Sequence, residues 1–165
     1  NPDQAAYLFI SGYTSKVAGT EAGITEPQTT FSTCFGAPFM PLHPTKYAEM
    51  LSDKVEKTGV NVWLINTGWN GQKQRMSLKD TRAVINAALN GDLNNAEFKK
   101  DQYFGFDVPV AIEGVDAEKL NPATSFTSEE AYEANAKLLA SKFKENFKKF
   151  EEFATADILA GGPII

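Results

Sequence analysis

Apolar residues recur at steps of three and four positions along the last third of the chain. These residues are Tyr132, Ala136, Leu139, Phe143, Phe147 and Phe150. On a helix they form one apolar stripe, whereas the segment KFKENFKKFEE places charges on the opposite face. Thr127 and Glu130 have the spacing of a capping box. The pattern predicts a terminal helix over about 128–153 that packs against the body of the protein.

Two shorter helices are predicted upstream. Thr45 and Asp80 are their expected N-caps, and Gly59 and Gly91 are their expected C-terminal stops. Their apolar positions are Tyr47, Met50, Leu51 and Val55 in the first helix and Ala83, Val84, Ala87, Ala88 and Leu89 in the second. Each set lies on one side of a helix, as expected for an amphipathic surface helix.

Three segments have the pattern of strands. Tyr7–Ser11 and Val60–Asn66 are short apolar runs of the kind that forms buried strands. Between Phe104 and Ile112 apolar residues alternate at period two, and Pro109 argues against a central position in a sheet. Together with the helices, these segments predict an α/β fold built on a mixed sheet with flanking helices.

A long segment after the first apolar run has no helical periodicity. It reads GYTSKVAGTEAGITEPQTTFST and is rich in glycine and threonine. A loop of this length in a compact domain usually has a function. We therefore expect a lid or a binding loop here.

Composition narrows the possible partners. The 165 residues suggest one domain, and the net charge of −5 gives no general attraction to nucleic acid or to anionic lipid. No apolar run approaches the roughly 18 residues that a membrane span requires. The single cysteine, Cys34, cannot form an internal disulfide, which favours the cytoplasm. The chain begins at Asn1 rather than at a methionine, so we expect a possible fragment of a longer protein.

The residues alone leave the chemistry open. The glycine loop Thr67–Gly71 follows a predicted strand and precedes a predicted helix, which suits a nucleotide or another anion, although this feature alone favours a simple turn. No phosphate-binding loop of the GxxxxGK[ST] type occurs. Cys34 and His43 are expected to be inert rather than catalytic partners. One histidine also excludes a metal site built from several imidazoles.

Three strings, in this order, resemble the carboxy-terminal part of ATP-dependent phosphoenolpyruvate carboxykinases. They are SGYTSKVAGTEAGITEPQTTFSTCFGAPFMPLHPTKYAEML, VWLINTGWNGQKQRMSLKDTRAVINAALNG and ENFKKFEE. The resemblance runs from about Tyr7 to Phe150. It implies an enzyme that converts oxaloacetate and ATP to phosphoenolpyruvate, ADP and carbon dioxide in gluconeogenesis or fermentation. It also implies that the catalytic groups and the Mg and Mn ligands lie upstream, so that this chain holds none of them.

Two elements of the family map onto this chain. The string GYTSKVAGTEAG implies an active-site lid over about 12–23, with lid residues Gly12, Tyr13, Thr14, Ser15, Lys16, Gly19, Thr20, Glu21 and Gly23. The string QRMSLKDTRA implies an adenine site formed by Arg75, Met76 and Thr81. A planar guanidinium can stack on a base, and a methionine side chain offers an adaptable apolar surface.

The expectation is therefore that residues 1–165 are the carboxy-terminal portion of a carboxykinase nucleotide-binding domain. The partners expected from the resemblance are ATP, oxaloacetate or phosphoenolpyruvate, and the remainder of the same polypeptide, with neither nucleic acid nor a membrane. The alternative is a free-standing, non-catalytic nucleotide-binding or interaction module.

Overall fold

The computed structural model describes residues 1–16, 23 and 28–165. The helices are α1 (Pro2–Ser11), α2 (Pro44–Thr58), α3 (Leu78–Asn90), α4 (Glu129–Phe147) and α5 (Ala156–Ala160). The strands are β1 (Tyr13–Lys16), β2 (Gln28–Phe31), β3 (Phe98–Lys100) and β4 (Asp107–Pro109). The chain divides into two compact units, 1–62 with 141–163 and 63–140 with 164–165.

The first apolar run is helical, so the strand predicted over Tyr7–Ser11 is wrong. The side chain of Asn1 accepts a hydrogen bond from the backbone N–H of Gln4, the Gln4 side chain bonds back to Asn1, and Pro2 occupies the first helical position. These are the features of a capping box, and they precede the apolar residues. A short apolar run is compatible with either a buried strand or a buried helix. Here the N-terminal cap identifies the helix.

Aromatic side chains form the core of the first unit. Helix α1 packs against α2 and α5. The ring of Tyr7 on α1 stacks on Phe147, with centroids 3.9 Å apart and planes 10° from parallel. Phe143 meets the ring of Phe31 edge-on at 5.0 Å, and Phe150 approaches Phe147 at 5.6 Å. The predicted stripe on the terminal helix therefore supplies the buried aromatic residues.

Two parts of the segment predicted to be an irregular loop pair as a short antiparallel sheet. Strand β1 pairs with β2 so that Tyr13 lies opposite Phe31 and Lys16 opposite Gln28. Gly12 joins α1 to this sheet with φ of +59°, and a Cβ placed on it would lie 1.7 Å from the carbonyl oxygen of Ser32. Only glycine meets both demands, which explains its position at the end of the helix.

The second unit is organised around α3 and a second antiparallel pair of strands. Ala87 on α3, Leu93 and Ile112 are buried together. In the sheet, Phe98 of β3 lies opposite Pro109 of β4. Each strand of this two-stranded sheet is an edge strand, which is the position that the sequence predicted for the segment with Pro109.

The segment Val60–Asn66 is not a strand. No backbone hydrogen bond joins Val62–Ile65 to any other residue that the structure describes. Leu64 is 62% exposed, although the ring of Trp63 stacks at 6.0 Å on that of Phe98. An apolar segment of this kind becomes a strand only when a neighbour pairs with it, and the described residues supply none.

The helix caps differ from those predicted by one to three residues. His43 caps α2 in place of Thr45, and Ser77 caps α3 in place of Asp80. At the start of α4 the backbone N–H of Ala131 donates to the hydroxyl of Ser128, one residue after the predicted Thr127. Gly59 and Gly91 end α2 and α3 in the left-handed conformation, as predicted.

The mixture of helices with small antiparallel sheets confirms the predicted α/β class. Helix α4 ends at Phe147, and one 3₁₀ turn continues it to Phe150 within the expected range of 128–153. Among the described residues, none of the helices combines the length and the apolar character needed to cross a bilayer.

Candidate functional site

A tight hairpin over residues 68–76 leads directly into α3. The backbone N–H of Met76 donates to the carbonyl oxygen of Gly68 at 3.0 Å, and Trp69 forms an antiparallel bridge with Arg75. Residues paired in this way project from the same side of a hairpin. The glycine loop identified in the sequence is therefore one arm of a hairpin, and Arg75 lies on the other arm.

The three residues implied in adenine binding lie at the junction of this hairpin with α3. Arg75 is exposed, and Met76 beside it is half-buried. Thr81 is half-buried on the first turn of the helix, where its N–H donates to the carbonyl of Ser77 at 2.9 Å. The junction offers a planar cation, an apolar surface and a hydroxyl within seven residues of chain.

A buried carboxylate fixes the start of α3. Asp80 accepts the hydroxyl of Ser77 at 2.7 Å and the ammonium of Lys119 at 2.8 Å. The Asp80 side chain is 7% exposed and the Lys119 side chain 52%. The hydrogen bonds from Lys119 and then Ser77 lower the pKa of the Asp80 carboxyl. Asp80 is therefore held as an anion beside Thr81 and anchors the helix start.

Part of the implied lid lies on a described strand. Gly12 ends α1, and Tyr13, Thr14, Ser15 and Lys16 form β1, with Thr14 and Ser15 exposed. Gly23 is exposed and has a φ of +82°. The other implied lid residues, Gly19, Thr20 and Glu21, lie outside the described residues.

Cys34 and His43 do not form a catalytic pair. The Sγ of Cys34 approaches the carbonyl oxygen of Pro44 at 3.9 Å, and burial raises the pKa of its thiol. The Nδ1 of His43 lies 2.8 Å from the hydroxyl of Thr45 and accepts the Thr45 N–H as a helix cap. A buried protonated thiol is a poor nucleophile, and the histidine has a structural role.

The described residues also offer no metal centre. Across 1–16, 23 and 28–165, no three His, Cys, Asp or Glu side chains converge as ligands for an ion. An open groove of about 520 Å³ runs along α3 and is lined by both apolar and acidic residues, but it contains none of the implied site residues. We therefore centre the candidate site on the hairpin.

Sequence reasoning did not identify two of the groups that shape the site. The cap at Ser77 could have been found, because Ser77 and Asp80 have the spacing of a capping box. The pairing of Asp80 with Lys119 could not, because the two residues are separated by 39 positions and no local pattern links them.

Comparison with known proteins identifies a family. The family model described as phosphoenolpyruvate carboxykinase matches residues 1–118. The phosphoenolpyruvate carboxykinase (ATP) of Flavobacterium johnsoniae is 60% identical over 99% of the chain, and that of Christiangramia forsetii is 54% identical over 99%. That of Novosphingobium aromaticivorans is 50% identical over 99%.

The chain spans about a third of the length of these relatives, 31% of the first two and 32% of the third. Matches of this extent cover the hairpin, α3 and β1. The chain belongs to the family of ATP-dependent phosphoenolpyruvate carboxykinases.

Proposed function

We propose that this chain is the carboxy-terminal part of the nucleotide-binding domain of an enzyme that converts oxaloacetate and ATP to phosphoenolpyruvate, ADP and carbon dioxide. The observation that carries the proposal is the 60% identity to a phosphoenolpyruvate carboxykinase (ATP) over 99% of the chain. The parent enzyme acts in gluconeogenesis and in the cytoplasm, and the lone buried Cys34 is compatible with that reducing compartment.

Within the parent, the hairpin and α3 hold the adenine of ATP. The exposed guanidinium of Arg75 stacks on the base, and the half-buried side chain of Met76 lies against the ring. The hydroxyl of Thr81 is placed on the first turn of α3 to hydrogen-bond a nitrogen of the base. These groups bind and orient the nucleotide and take no part in bond breaking.

Phosphoryl transfer itself requires groups that lie upstream. Bound Mg and Mn neutralise charge on the transferred phosphate, and their ligands are expected in the preceding part of the polypeptide. This chain therefore contributes nucleotide recognition and lid residues, and the upstream part contributes the reacting centre.

The experiment that tests the adenine site measures ATP and oxaloacetate dissociation constants by calorimetry on the full-length parent. Arg75→Ala should weaken ATP binding by about two- to thirtyfold, because it removes about 0.5–2 kcal/mol of stacking energy. Thr81→Ala should weaken it less, and neither change should affect oxaloacetate. Arg82→Ala is the matched control, since Arg82 is an exposed arginine one residue further along α3.

Unchanged ATP affinity in both Arg75→Ala and Thr81→Ala would overturn the adenine assignment. A loss confined to oxaloacetate would instead place the two residues beside that substrate. A similar loss in Arg82→Ala would show that general positive charge, rather than stacking at Arg75, attracts the nucleotide.

We also propose that Gly12–Gly23 is the lid that closes over the bound substrates. The support is the resemblance of GYTSKVAGTEAG to the lid of the family and the exposure of Thr14 and Ser15 on β1. Amide exchange over 12–23 in the full-length parent should slow when ATP and oxaloacetate are bound, because closure buries the backbone. Exchange in α2 serves as the internal control. No change over 12–23 with saturating substrates would reject the assignment.

A further inference from the structure

One side chain organises the turn of the hairpin. The Oδ1 of Asn70 accepts the backbone N–H of Gln72 at 3.0 Å and that of Gln74 at 2.8 Å. The backbone of Asn70 also participates: its N–H donates to the carbonyl of Gln74 at 2.9 Å, and its carbonyl accepts the N–H of Lys73 at 3.0 Å. Asn70 therefore takes part in all four of these bonds, which close the turn between positions 70 and 74.

The bonding pattern explains why an asparagine stands at this position. In a regular two-stranded ladder the N–H of Gln74 would donate to the backbone carbonyl opposite it. Here that N–H donates to the side-chain oxygen of Asn70, and the backbone carbonyl is left for Lys73. A short side chain with an acceptor oxygen is required, which asparagine and aspartate provide and alanine does not.

The turn sets the position of the next residue on the arm. Arg75 follows Gln74 directly and pairs with Trp69, which precedes Asn70. The far side of the turn is also anchored: the N–H of Gly71 donates to the hydroxyl of Ser125 at 3.0 Å. A hairpin held at both sides presents Arg75 in one register relative to α3.

We propose that Asn70 is a positioning residue of the nucleotide site, which acts through Arg75 by fixing the length and register of the turn. This inference rests on the proposed adenine site. The side-chain oxygen of Asn70 orders the backbone of residues 72–75 before the nucleotide arrives. Less backbone conformational entropy is therefore lost when the guanidinium of Arg75 binds the base. The affinity for ATP thus depends on a residue outside the implied set of Arg75, Met76 and Thr81.

The test uses the full-length parent and calorimetric dissociation constants for ATP and oxaloacetate. Asn70→Ala should weaken ATP binding by about two- to tenfold, less than Arg75→Ala, and leave oxaloacetate unchanged. Asn70→Asp keeps an acceptor oxygen and should retain most of the affinity, whereas Asn70→Ser should give an intermediate loss. Asn135→Ala is the matched control, because Asn135 is exposed and its side-chain amide donates to the carbonyl of Ala131 in its own helix.

A double-mutant cycle separates positioning from a loss of stability. If Asn70 acts through Arg75, adding Asn70→Ala to Arg75→Ala should cause little further loss of ATP affinity. Losses that multiply would overturn the inference, as would an Asn70→Ala enzyme with wild-type ATP affinity. Unchanged ATP affinity in both Arg75→Ala and Thr81→Ala would instead reject the proposed adenine site, so the two failures are distinguishable.

Discussion

Among single residues, Asp80 links the start of α3 to Lys119, 39 positions further along the chain. It accepts hydrogen bonds from the Ser77 cap and from Lys119, and it precedes Thr81 in the chain. Its low exposure sets it apart from the surface ion pairs of this protein, such as Lys57 with Asp53 at 3.6 Å. A pair with one buried member depends on both partners, because removing one leaves the other poorly solvated.

The state of Asp80 should make stability depend on pH at the acid end. Its pKa is lowered in the folded protein, first by the hydrogen bond from Lys119. The stabilisation is therefore complete above the ordinary value of 3.8 and is lost as the pH falls through the folded value. Asp80→Asn should lower the melting temperature of the full-length parent at neutral pH, and the difference from wild type should shrink as the pH falls below 3.8.

Asp53→Asn provides the control for this measurement. Asp53 lies in an exposed pair on α2, so its replacement should change the melting temperature little at any pH. A difference between Asp80→Asn and wild type that stays constant down to acid pH would contradict the role assigned to the Asp80 charge.

Among the elements, α4 shows most directly how a sequence pattern becomes packing. The residues of its predicted stripe that fall at its end are the ones buried in the first unit. Phe147 is 1% exposed and stacked on Tyr7, whereas Leu138 on the same helix is 56% exposed. Both residues are large and apolar, so a difference between their contributions to the free energy of unfolding reflects where each lies on the helix.

Phe147→Ala should destabilise the full-length parent by about 3–5 kcal/mol, because it leaves a cavity beneath the ring of Tyr7. Leu138→Ala should change the free energy of unfolding by less than about 0.5 kcal/mol. Denaturant unfolding followed by the fluorescence of the aromatic residues measures both. Equal effects of the two changes would show that the stacked contact is not part of the stabilising core.

The elements also show where the sequence is informative. The ends of α2 and α3 at Gly59 and Gly91 were predicted, because glycine at the end of an amphipathic pattern is a local signal. The strand predicted over Tyr7–Ser11 is wrong because Asn1, Pro2 and Gln4 form a helix N-terminus ahead of the apolar run. The strand predicted over Val60–Asn66 is wrong because a strand forms only beside a pairing strand, and no local pattern reveals whether such a partner is present.

At the scale of the whole molecule, nucleotide recognition and the reacting centre are predicted to lie in different parts of the polypeptide. Motif resemblance located Arg75, Met76 and Thr81 as candidates, and the structure brings their backbone positions to one junction of hairpin and helix. The role of Asn70 could not be foreseen, because an asparagine–glycine pair predicts a turn without showing which side chain closes it.

Residues 1–165 alone should not convert oxaloacetate and ATP to phosphoenolpyruvate. The resemblance implies that the phosphate-binding and metal-binding groups lie upstream, and His43, the single histidine of the chain, serves as a helix cap. A coupled assay for phosphoenolpyruvate on the purified chain checks this, with the full-length parent as positive control. Turnover by a sample shown by intact mass to contain only this chain would refute the expectation and favour a self-sufficient module.

The segment Val62–Ile65 has a practical consequence for the handling of this chain. Apolar residues whose amides and carbonyls bond to none of the described residues are a template on which another strand can form, and Val62 and Leu64 are both more than half exposed. In a concentrated preparation of the chain alone, two copies can pair through this segment in the manner of an amyloid edge. A charged residue in place of Leu64 is then the substitution of choice for keeping such a preparation soluble.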